Sequence, residues 1–227
     1  MEKLFVRKVS FASPAPSIDE VEALFESENI EFHAIDKVGW PDSFPYCPDV
    51  KFRIMHSAGE IYLQYVVCQS EVRATFDFDF GSKPYTDDCV EFFIVPSDTD
   101  PTYYNMEMNC VGHGTFDYGP SRDERHHCDD SVISQIRRRS TLGEKALGKS
   151  FRIDTHKDTW RLTAAIPKSL YAQVDATLKP FSGRTLRANF YKCGDDSSRP
   201  HYLSWNPVGT PKPNFHCPEW FGELCFE

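Results

Sequence analysis

The chain has 227 residues, of which 40% are hydrophobic and 14% aromatic, and its net charge is −9. This length allows a single domain with a sizeable core, and the negative charge disfavours nucleic acid or an anionic membrane surface as a partner. No apolar run approaches the roughly 20 residues of a membrane-spanning helix. The start of the chain shows no signal peptide, so we expect a cytoplasmic protein, or a secreted or periplasmic one whose leader has been removed.

The cysteines do not have the spacing of a metal ribbon or a redox motif. None of the eight forms a C-x-x-C pair, which disfavours a zinc ribbon and a thioredoxin motif. Several lie in strand-like segments, where a free cysteine behaves as a small apolar side chain. We therefore expect mostly reduced, buried thiols at Cys47, Cys68, Cys89, Cys110, Cys128, Cys193, Cys217 and Cys225.

The N-terminal part of the chain predicts short strands and one helix. Ser17 and Glu20 have the spacing of a capping box, which predicts a helix ending near residue 27. Three prolines in residues 40–48 exclude regular structure there and favour a loop. Alternating or apolar runs predict strands over residues 6–11, 32–38, 50–56 and 60–69, the last two joined as a hairpin.

The central stretch, residues 85–110, predicts two strands with unusual polar faces. Side chains alternate across a strand, so Asn105, Glu107 and Asn109 share one face of the run 103–110. The preceding run, 89–95, carries Glu91 among aromatic and aliphatic neighbours. Amides and carboxylates set among aromatics suit a neutral, hydroxyl-rich ligand. This stretch is the candidate binding surface.

The rest of the chain continues the same pattern. Residues 119–130 are charged and rich in histidine, which indicates a solvated loop. Strands are predicted over 115–118, 132–138, 160–166 and 186–193, with a helical turn after Pro167. About ten short strands with one or two short helices indicate an all-β, antiparallel β-sandwich. We expect one domain over 1–227, with 1–30 as an N-terminal extension packed on it.

Several motifs resemble the family 9 carbohydrate-binding modules and their family-9-like relatives. The first is DDCVEFFI at 87–94, and the others follow in the family's order. They are YNMEMN at 104–109, Trp160 ahead of AIP at 165–167, RANFY at 187–191, WNP at 205–207 and NFHCPEWFG at 214–222. The resemblance covers roughly residues 30–227. It implies a β-sandwich with immunoglobulin-like layers that binds a saccharide without catalysis.

The resemblance also implies a site. In sugar-binding members two aromatic rings clamp a sugar, and polar side chains of adjacent strands take its hydroxyls. Tyr85 and Trp205 match the clamp positions, with tyrosine where characterised binders use tryptophan. The implied ligand-binding residues are Tyr85, Glu91, Asn105, Glu107, Asn109, Arg187, Asn189 and Trp205. The expected partner is a carbohydrate, and no cofactor is required.

The sequence also allows a calcium site and two alternative functions. Family members often carry structural calcium, for which Asp77, Asp79, Asp87 and Asp88 are an oxygen-rich candidate set. Glu91 and Glu107 on neighbouring strands also satisfy the requirement of a glycoside-processing enzyme for an acid and a nucleophile. The other alternative is that the chain is a related β-sandwich protein that binds heme or a protein partner.

Overall fold

Short β-strands account for most of the regular structure. The computed structural model describes residues 1–143, 147–152 and 159–227. Its strands are β1 (Lys3–Lys8), β2 (His33–Ala34), β3 (Lys37–Val38), β4 (Asp49–His56), β5 (Glu60–Cys68), β6 (Glu71–Ala74), β7 (Cys89–Val95), β8 (Tyr103–Asn109), β9 (Gly114–Gly119), β10 (His126–His127), β11 (Arg137–Ser140), β12 (Lys149–Arg152), β13 (Trp160–Pro167), β14 (Thr185–Cys193), β15 (Tyr202–Ser204) and β16 (Gly222–Phe226). The helices are α1 (Ile18–Ser27) and α2 (Asp130–Ile133), with 3-10 turns at Pro84–Thr86, Lys168–Gln173 and Pro218–Trp220.

The strands form two layers that are joined by β1. The first layer has the order β10-β9-β8-β7-β14-β16, and the second has the order β4-β5-β13-β11. Strand β1 runs parallel to β16 through Lys3–Val6 and then parallel to β4 through Arg7–Lys8. The other named strand pairs are antiparallel. The predicted all-β sandwich is confirmed, and residues 1–30 supply a strand to it.

Aromatic side chains fill the space between the layers. Phe52 of β4 stacks on Phe190 of β14 with 3.7 Å between ring centroids. Trp205 meets both rings edge-on, and Phe92 stacks on the other side of Phe190. All four lie in one buried cluster that spans both layers. Because such rings bury large apolar areas, this cluster stabilises the packing of the two layers against each other.

The predicted N-terminal helix is present, with the predicted cap. The Ser17 hydroxyl accepts a hydrogen bond from the Glu20 amide at 3.2 Å, and the Glu20 carboxylate accepts one from the Ser17 amide at 2.7 Å. Val21 and Phe25 are buried, and they pack with Met55, Tyr62 and Ala165 of the second layer. Helix α1 therefore covers the outer face of that layer.

Four predicted elements differ from the structure. The first strand is Lys3–Lys8 and not 6–11, and the predicted strand 32–38 is two short strands, β2 and β3. Residues 132–138 do not form one strand, because the Asp129 side chain caps the amide of Ser131 and starts the short helix α2; the strand begins only at Arg137. The loop predicted at 119–130 contains the strand β10, which pairs with β9. No helix among the described residues is both long and apolar enough to cross a bilayer.

Candidate binding cleft

A cleft of about 380 Å³ opens on the face of the first layer that points away from the second. Its residues come from β7, β8, β9, β14 and β15 and from the loops and the 3-10 turn that surround them. They are Ser82, Lys83, Tyr85, Glu91, Asn105, Glu107, Thr115, Asp117, Arg122, Arg125, Cys193, Asp195, Tyr202, Pro213, Asn214, Phe215 and His216. The cleft is thus lined by carboxyl, amide and guanidinium groups together with aromatic rings.

Strand register brings the floor of the cleft together. Glu91 of β7 lies opposite Glu107 of β8, and Tyr191 of β14 lies on its other side. Because successive side chains of a strand point to opposite faces of the sheet, Phe92 and Met106 point into the core between the layers. Both glutamates therefore point toward the cleft, as the sequence pattern predicts.

Glu91 is buried and has no cationic partner among the described residues. Its Oε1 accepts a hydrogen bond from the Cys193 thiol at 3.0 Å. Burial raises the pKa of Glu91 well above its ordinary value, and the nearby Glu107 carboxyl raises it further. Burial therefore favours the protonated form of Glu91, which can both donate and accept a hydrogen bond.

Glu107 lies at the centre of a polar network. The Asn105 side-chain Nδ2 donates to Glu107 Oε1 at 2.9 Å, and Arg125 donates to the Asn105 side-chain Oδ1. The Arg125 guanidinium lies 4.2 Å above the Tyr103 ring. Burial raises the pKa of Glu107 to about 7, against the lowering effect of the Asn105 hydrogen bond. Near neutral pH this carboxyl is present in both protonation states.

A glycine lets β9 approach Glu107. A Cβ atom on Gly114 would lie 1.9 Å from the Glu107 backbone carbonyl oxygen, closer than any real contact allows. Any side chain at Gly114 would push β9 away from β8 and move Asp117 and Thr115, which line the cleft. The glycine therefore sets the width of this side of the cleft.

His216 closes one end of the cleft as a neutral ring. Its Nδ1 is 2.9 Å from the Tyr103 hydroxyl, and its Nε2 is 3.9 Å from Glu107 Oε1. Burial lowers the pKa of His216 to about 3, and the positive charges of Arg125 and Arg122 lower it further. His216 and Glu107 therefore do not form an ion pair at neutral pH.

Tyr85 and Asp195 lie together at the opposite side. The Asp195 amide donates to the Tyr85 carbonyl at 2.9 Å, which ties the end of β14 to the 3-10 turn Pro84–Thr86. The Tyr85 side chain is 39% exposed. Asp195 Oδ1 is buried and has no hydrogen-bond partner within the described residues, and burial raises the Asp195 pKa to about 6. A ligand hydroxyl could satisfy this oxygen.

Further aromatic rings line the remaining walls. Phe215 stacks on Tyr191 with 4.1 Å between centroids and 11° between planes. Tyr202 meets Phe215 edge-on at 6.0 Å and Trp40 edge-on at 5.7 Å. These contacts hold the rings of Phe215 and Tyr202 in fixed positions, so the aromatic lining is formed before any ligand arrives.

The structure brings together four of the predicted binding residues, namely Tyr85, Glu91, Asn105 and Glu107. Trp205 is not among them. Its side chain is 6% exposed and packs against Phe52 and Phe190 in the core. The prediction that Trp205 stacks on a ligand is therefore wrong, because the Trp205 amide bonds to the Phe190 carbonyl at 2.9 Å and its ring is sealed between the layers.

The other three predicted residues also lie outside the cleft. Asn109 is fully buried, and its amide donates to the Phe76 carbonyl and to Asp87. Asn189 exchanges two hydrogen bonds with the backbone of Asn206, each 2.9 Å long. Arg187 is exposed and donates to the Pro218 carbonyl. Each of these side chains supports a turn or loop and does not face the cleft.

The four aspartates proposed for calcium do not converge on one point. Asp79 receives two hydrogen bonds from Arg138, and Asp88 receives bonds from Lys192 and the Arg73 amide. Asp87 accepts from the side chain and amide of Thr75 and from nearby amides, while Asp77 is exposed. Carboxylates filled by N–H and O–H donors do not fit a calcium cage. Calcium binding there remains a prediction.

Several cleft residues were missed by the sequence analysis. They are Asp117, Arg122, Arg125, Asp195, Tyr202, Asn214, Phe215 and His216. Arg122 and Arg125 lie in the segment read as a solvated loop. Asp195 lies two residues after the end of the predicted strand 186–193. A polar residue close to a strand end was the one signal available for it.

The fold is a β-sandwich, and the cleft lies on the outer face of one of its sheets. The chain matches the model of Carbohydrate-binding family 9 over residues 19–226. It belongs to this family, as the motifs predict. Among curated proteins no match to the chain is significant.

Three solved structures are similar to the chain. A protein of Bacteroides uniformis ATCC 8492, provisionally described as carbohydrate-binding, is 37% identical with a TM-score of 0.90, over 100% of this chain and 99% of that one. A family 9 module of Caldicellulosiruptor kristjanssonii in complex with glucose is 16% identical with a TM-score of 0.59, over 100% and 96% of the two chains. A family 9 module from the same organism in complex with cellotriose is also 16% identical, with a TM-score of 0.57, over 100% of this chain and 94% of that one. At this identity the last two show a shared fold.

Proposed function

We propose that the cleft binds a saccharide without catalysis. The observation that carries this proposal is the half-exposed ring of Tyr85 at the edge of a floor made of Glu91, Asn105 and Glu107. A pyranose has an apolar C–H face that packs on such a ring and hydroxyls that pair with carboxyl and amide groups. Membership of a carbohydrate-binding family supports the same conclusion.

The second stacking surface is assigned to the wall formed by Tyr202 and Phe215. Both rings line the cleft and are held by neighbouring aromatics. A ring fixed before binding loses little conformational freedom when the ligand docks, which favours affinity. The clamp would then pair Tyr85 with this wall.

The polar floor favours a neutral sugar with several free hydroxyls. The protonated form of Glu91, which burial favours, can donate a hydrogen bond as well as accept one, and Oδ1 of Asp195 can accept another. A ligand that lacks these hydroxyls would leave buried polar groups unpaired, at a cost of about 1–3 kcal/mol each. Glucose and cello-oligosaccharides, which relatives of the same fold hold, are the first ligands to test.

Calorimetric titration with glucose, cellotriose and a panel of other mono- and oligosaccharides tests the proposal. We expect saturable heat with at least one of them, and Tyr85→Ala should weaken binding by about tenfold, or about 1.4 kcal/mol. Trp220→Ala is a matched control, because Trp220 is also 39% exposed but lies outside the cleft. Absence of heat across the panel, or equal losses in the two variants, would contradict the proposal.

The same samples distinguish binding from hydrolysis. Glu91 and Glu107 are a facing carboxyl pair in an open cleft, so an assay for new reducing ends is informative. We expect no release of reducing sugar from the ligand that binds. Release that Glu107→Gln abolishes would show a glycoside hydrolase instead.

A further inference from the structure

Two cysteines lie side by side beneath the cleft. Cys89 of β7 and Cys193 of β14 are directly opposite each other in the strand register. Both are buried and both are free thiols, and Cys193 also lines the cleft. Glu91, two residues after Cys89 on the same strand face, receives the Cys193 thiol hydrogen bond at 3.0 Å.

These three side chains form a convergent set of metal ligands. The two Sγ atoms and a Glu91 carboxylate oxygen all lie within 4.8 Å of one another. In the part of the chain that the structure describes, no other group of three such side chains comes as close. Tetrahedral zinc with Zn–S bonds of about 2.3 Å needs neighbouring donors roughly 3.3–3.8 Å apart. Small rotamer adjustments would bring the set into that range.

The surroundings also differ from those of an ordinary buried cysteine. Cys110 and Cys128 are buried within the large core cluster, and Cys89 and Cys193 belong to a smaller apolar cluster on the other face of the first layer. Cys193, by contrast, contacts a carboxyl group and lines an open cleft, which provides a path for an ion from solvent. Three protein ligands with access from one side leave a fourth position for water or a ligand oxygen, as in open zinc sites.

We propose that Cys89, Cys193 and Glu91 bind a thiophilic divalent cation, with Zn²⁺ the ion whose geometry and ligand preference fit best. Binding replaces the protons of the two thiols and of the protonated Glu91 carboxyl, and these protons pass to solvent as the metal–sulfur and metal–oxygen bonds form. The fourth ligand comes from the cleft, so the ion lies at the floor on which a sugar would rest. This proposal does not depend on the saccharide proposal, since the three ligands are all protein side chains.

Cobalt titration of the reduced full-length protein is the direct test. Thiolate coordination of Co²⁺ gives a charge-transfer band in the near ultraviolet, which added Zn²⁺ should remove. We expect a band that saturates at one Co²⁺ per chain. Cys193→Ser and Cys89→Ser should each weaken Zn²⁺ affinity more than the 10- to 100-fold typical of a lost supporting partner.

Cys110→Ser is the matched control, because Cys110 is equally buried but lies in the core cluster. It should keep the full band and the wild-type Zn²⁺ affinity. Because a buried serine can impair folding, Glu91→Gln provides a second test that leaves both thiols in place. It should keep the sulfur charge-transfer band and weaken Zn²⁺ binding at least about tenfold.

Three results would overturn the proposal. One is the absence of a charge-transfer band in the reduced wild-type protein. Another is a band that survives in folded Cys193→Ser protein. The third is a Cys89–Cys193 disulfide that forms in air even when Zn²⁺ is present, since a bound ion would hold the two sulfurs apart as thiolates.

Discussion

Two groups of buried ionisable side chains lie on the same strands, and they differ in how their charges are matched. Asp88, at the start of β7, accepts a hydrogen bond from Lys192 at 2.9 Å, and both side chains are almost completely buried. The Lys192 ammonium also donates to His201 Nε2 at 2.6 Å and to the Cys193 carbonyl at 2.7 Å. Every charge in this group, here called the buried ion-pair group, has a partner.

The cleft carboxyls are arranged in the opposite way. Glu91, Glu107 and Asp195 form no ion pair with a lysine or arginine of the described residues. Burial raises the pKa of each of them. A buried ion pair with all donors used is a structural element, whereas carboxyl groups without cations retain hydrogen-bonding capacity for a ligand. We therefore interpret the buried ion-pair group as structural support and the three cleft carboxyls as candidate ligand-binding groups.

Removing the cation of the buried ion-pair group should have the largest effect. Lys192→Met leaves the Asp88 carboxylate buried without its partner, and we expect a loss of about 3–5 kcal/mol in the free energy of unfolding. Urea denaturation measures the loss, with Lys212→Met, at an exposed position, as the control. A loss below about 1 kcal/mol would mean that the ion pair contributes little to stability. The distinction between a structural ion-pair group and a ligand-binding group of carboxyls would then be wrong.

His201 should make the buried ion-pair group sensitive to acid. Burial lowers the pKa of His201 to about 3, and the adjacent Lys192 charge lowers it further, against the raising effect of Asp88. The ring is therefore neutral in the fold, but in the unfolded chain it takes up a proton below about pH 6.5. Stability from this group is present above pH 6.5 and is lost as the pH falls toward 3.

A difference measurement isolates this contribution. Over that pH range the stability of wild type should fall relative to His201→Gln by about 1.4 kcal/mol per pH unit at most. Glutamine can still accept the Lys192 hydrogen bond. His216 has a similarly lowered pKa, so His216→Gln shows whether the effect belongs to the buried ion-pair group alone. Parallel stability curves for wild type and His201→Gln would contradict the prediction.

Glu107 should show the opposite pH dependence. Burial raises the pKa of Glu107 to about 7, above the value of about 4.3 expected in the unfolded chain. Stability is therefore lost as the pH rises from about 4.3 through 7, because the folded state resists ionisation. Glu107→Gln removes this loss, and we expect it to be more stable than wild type by at most about 3.6 kcal/mol at pH 8 and similar at pH 4.

Thermal unfolding at several pH values measures the Glu107 effect. Asp117→Asn, a change at a neighbouring cleft residue on β9, is the control. If Glu107→Gln were less stable than wild type at pH 8, the carboxylate would have a stabilising partner. Glu107 would then belong with the buried ion-pair group and not with the binding site.

Sequence periodicity predicted part of the floor of the cleft: Glu91, Asn105 and Glu107 line it, whereas Asn109, on the same face of β8, does not. The alternation around Glu91 and Glu107 is a local property, since each face of a strand is fixed by the order of its own residues. The capping box of α1 is local in the same way, and both are confirmed. Local patterns therefore predicted the elements and the central face.

The walls of the cleft could not be predicted in this way. Trp205 follows a strand that pairs with β14, and this long-range pairing decides that its ring enters the core. Arg125 reaches the cleft because β10 pairs with β9. The bonds that tie Asn189 to Asn206 likewise form only after the chain has folded. Such positions depend on contacts between distant segments, which periodicity does not contain.

Added calcium should have the smallest effect on the melting temperature. It tests a third group of carboxyls, Asp79, Asp87 and Asp88, whose oxygens accept hydrogen bonds from the protein. Asp79, Asp87 and Asp88 already accept hydrogen bonds from arginine, lysine and backbone amides, so an ion would have to displace these donors. We therefore expect the melting temperature to be the same with excess Ca²⁺ and with a chelator. A calcium-dependent rise that Asp77→Asn abolishes, at an exposed aspartate whose loss leaves those bonds intact, would show that carboxylates engaged by protein donors still bind the ion.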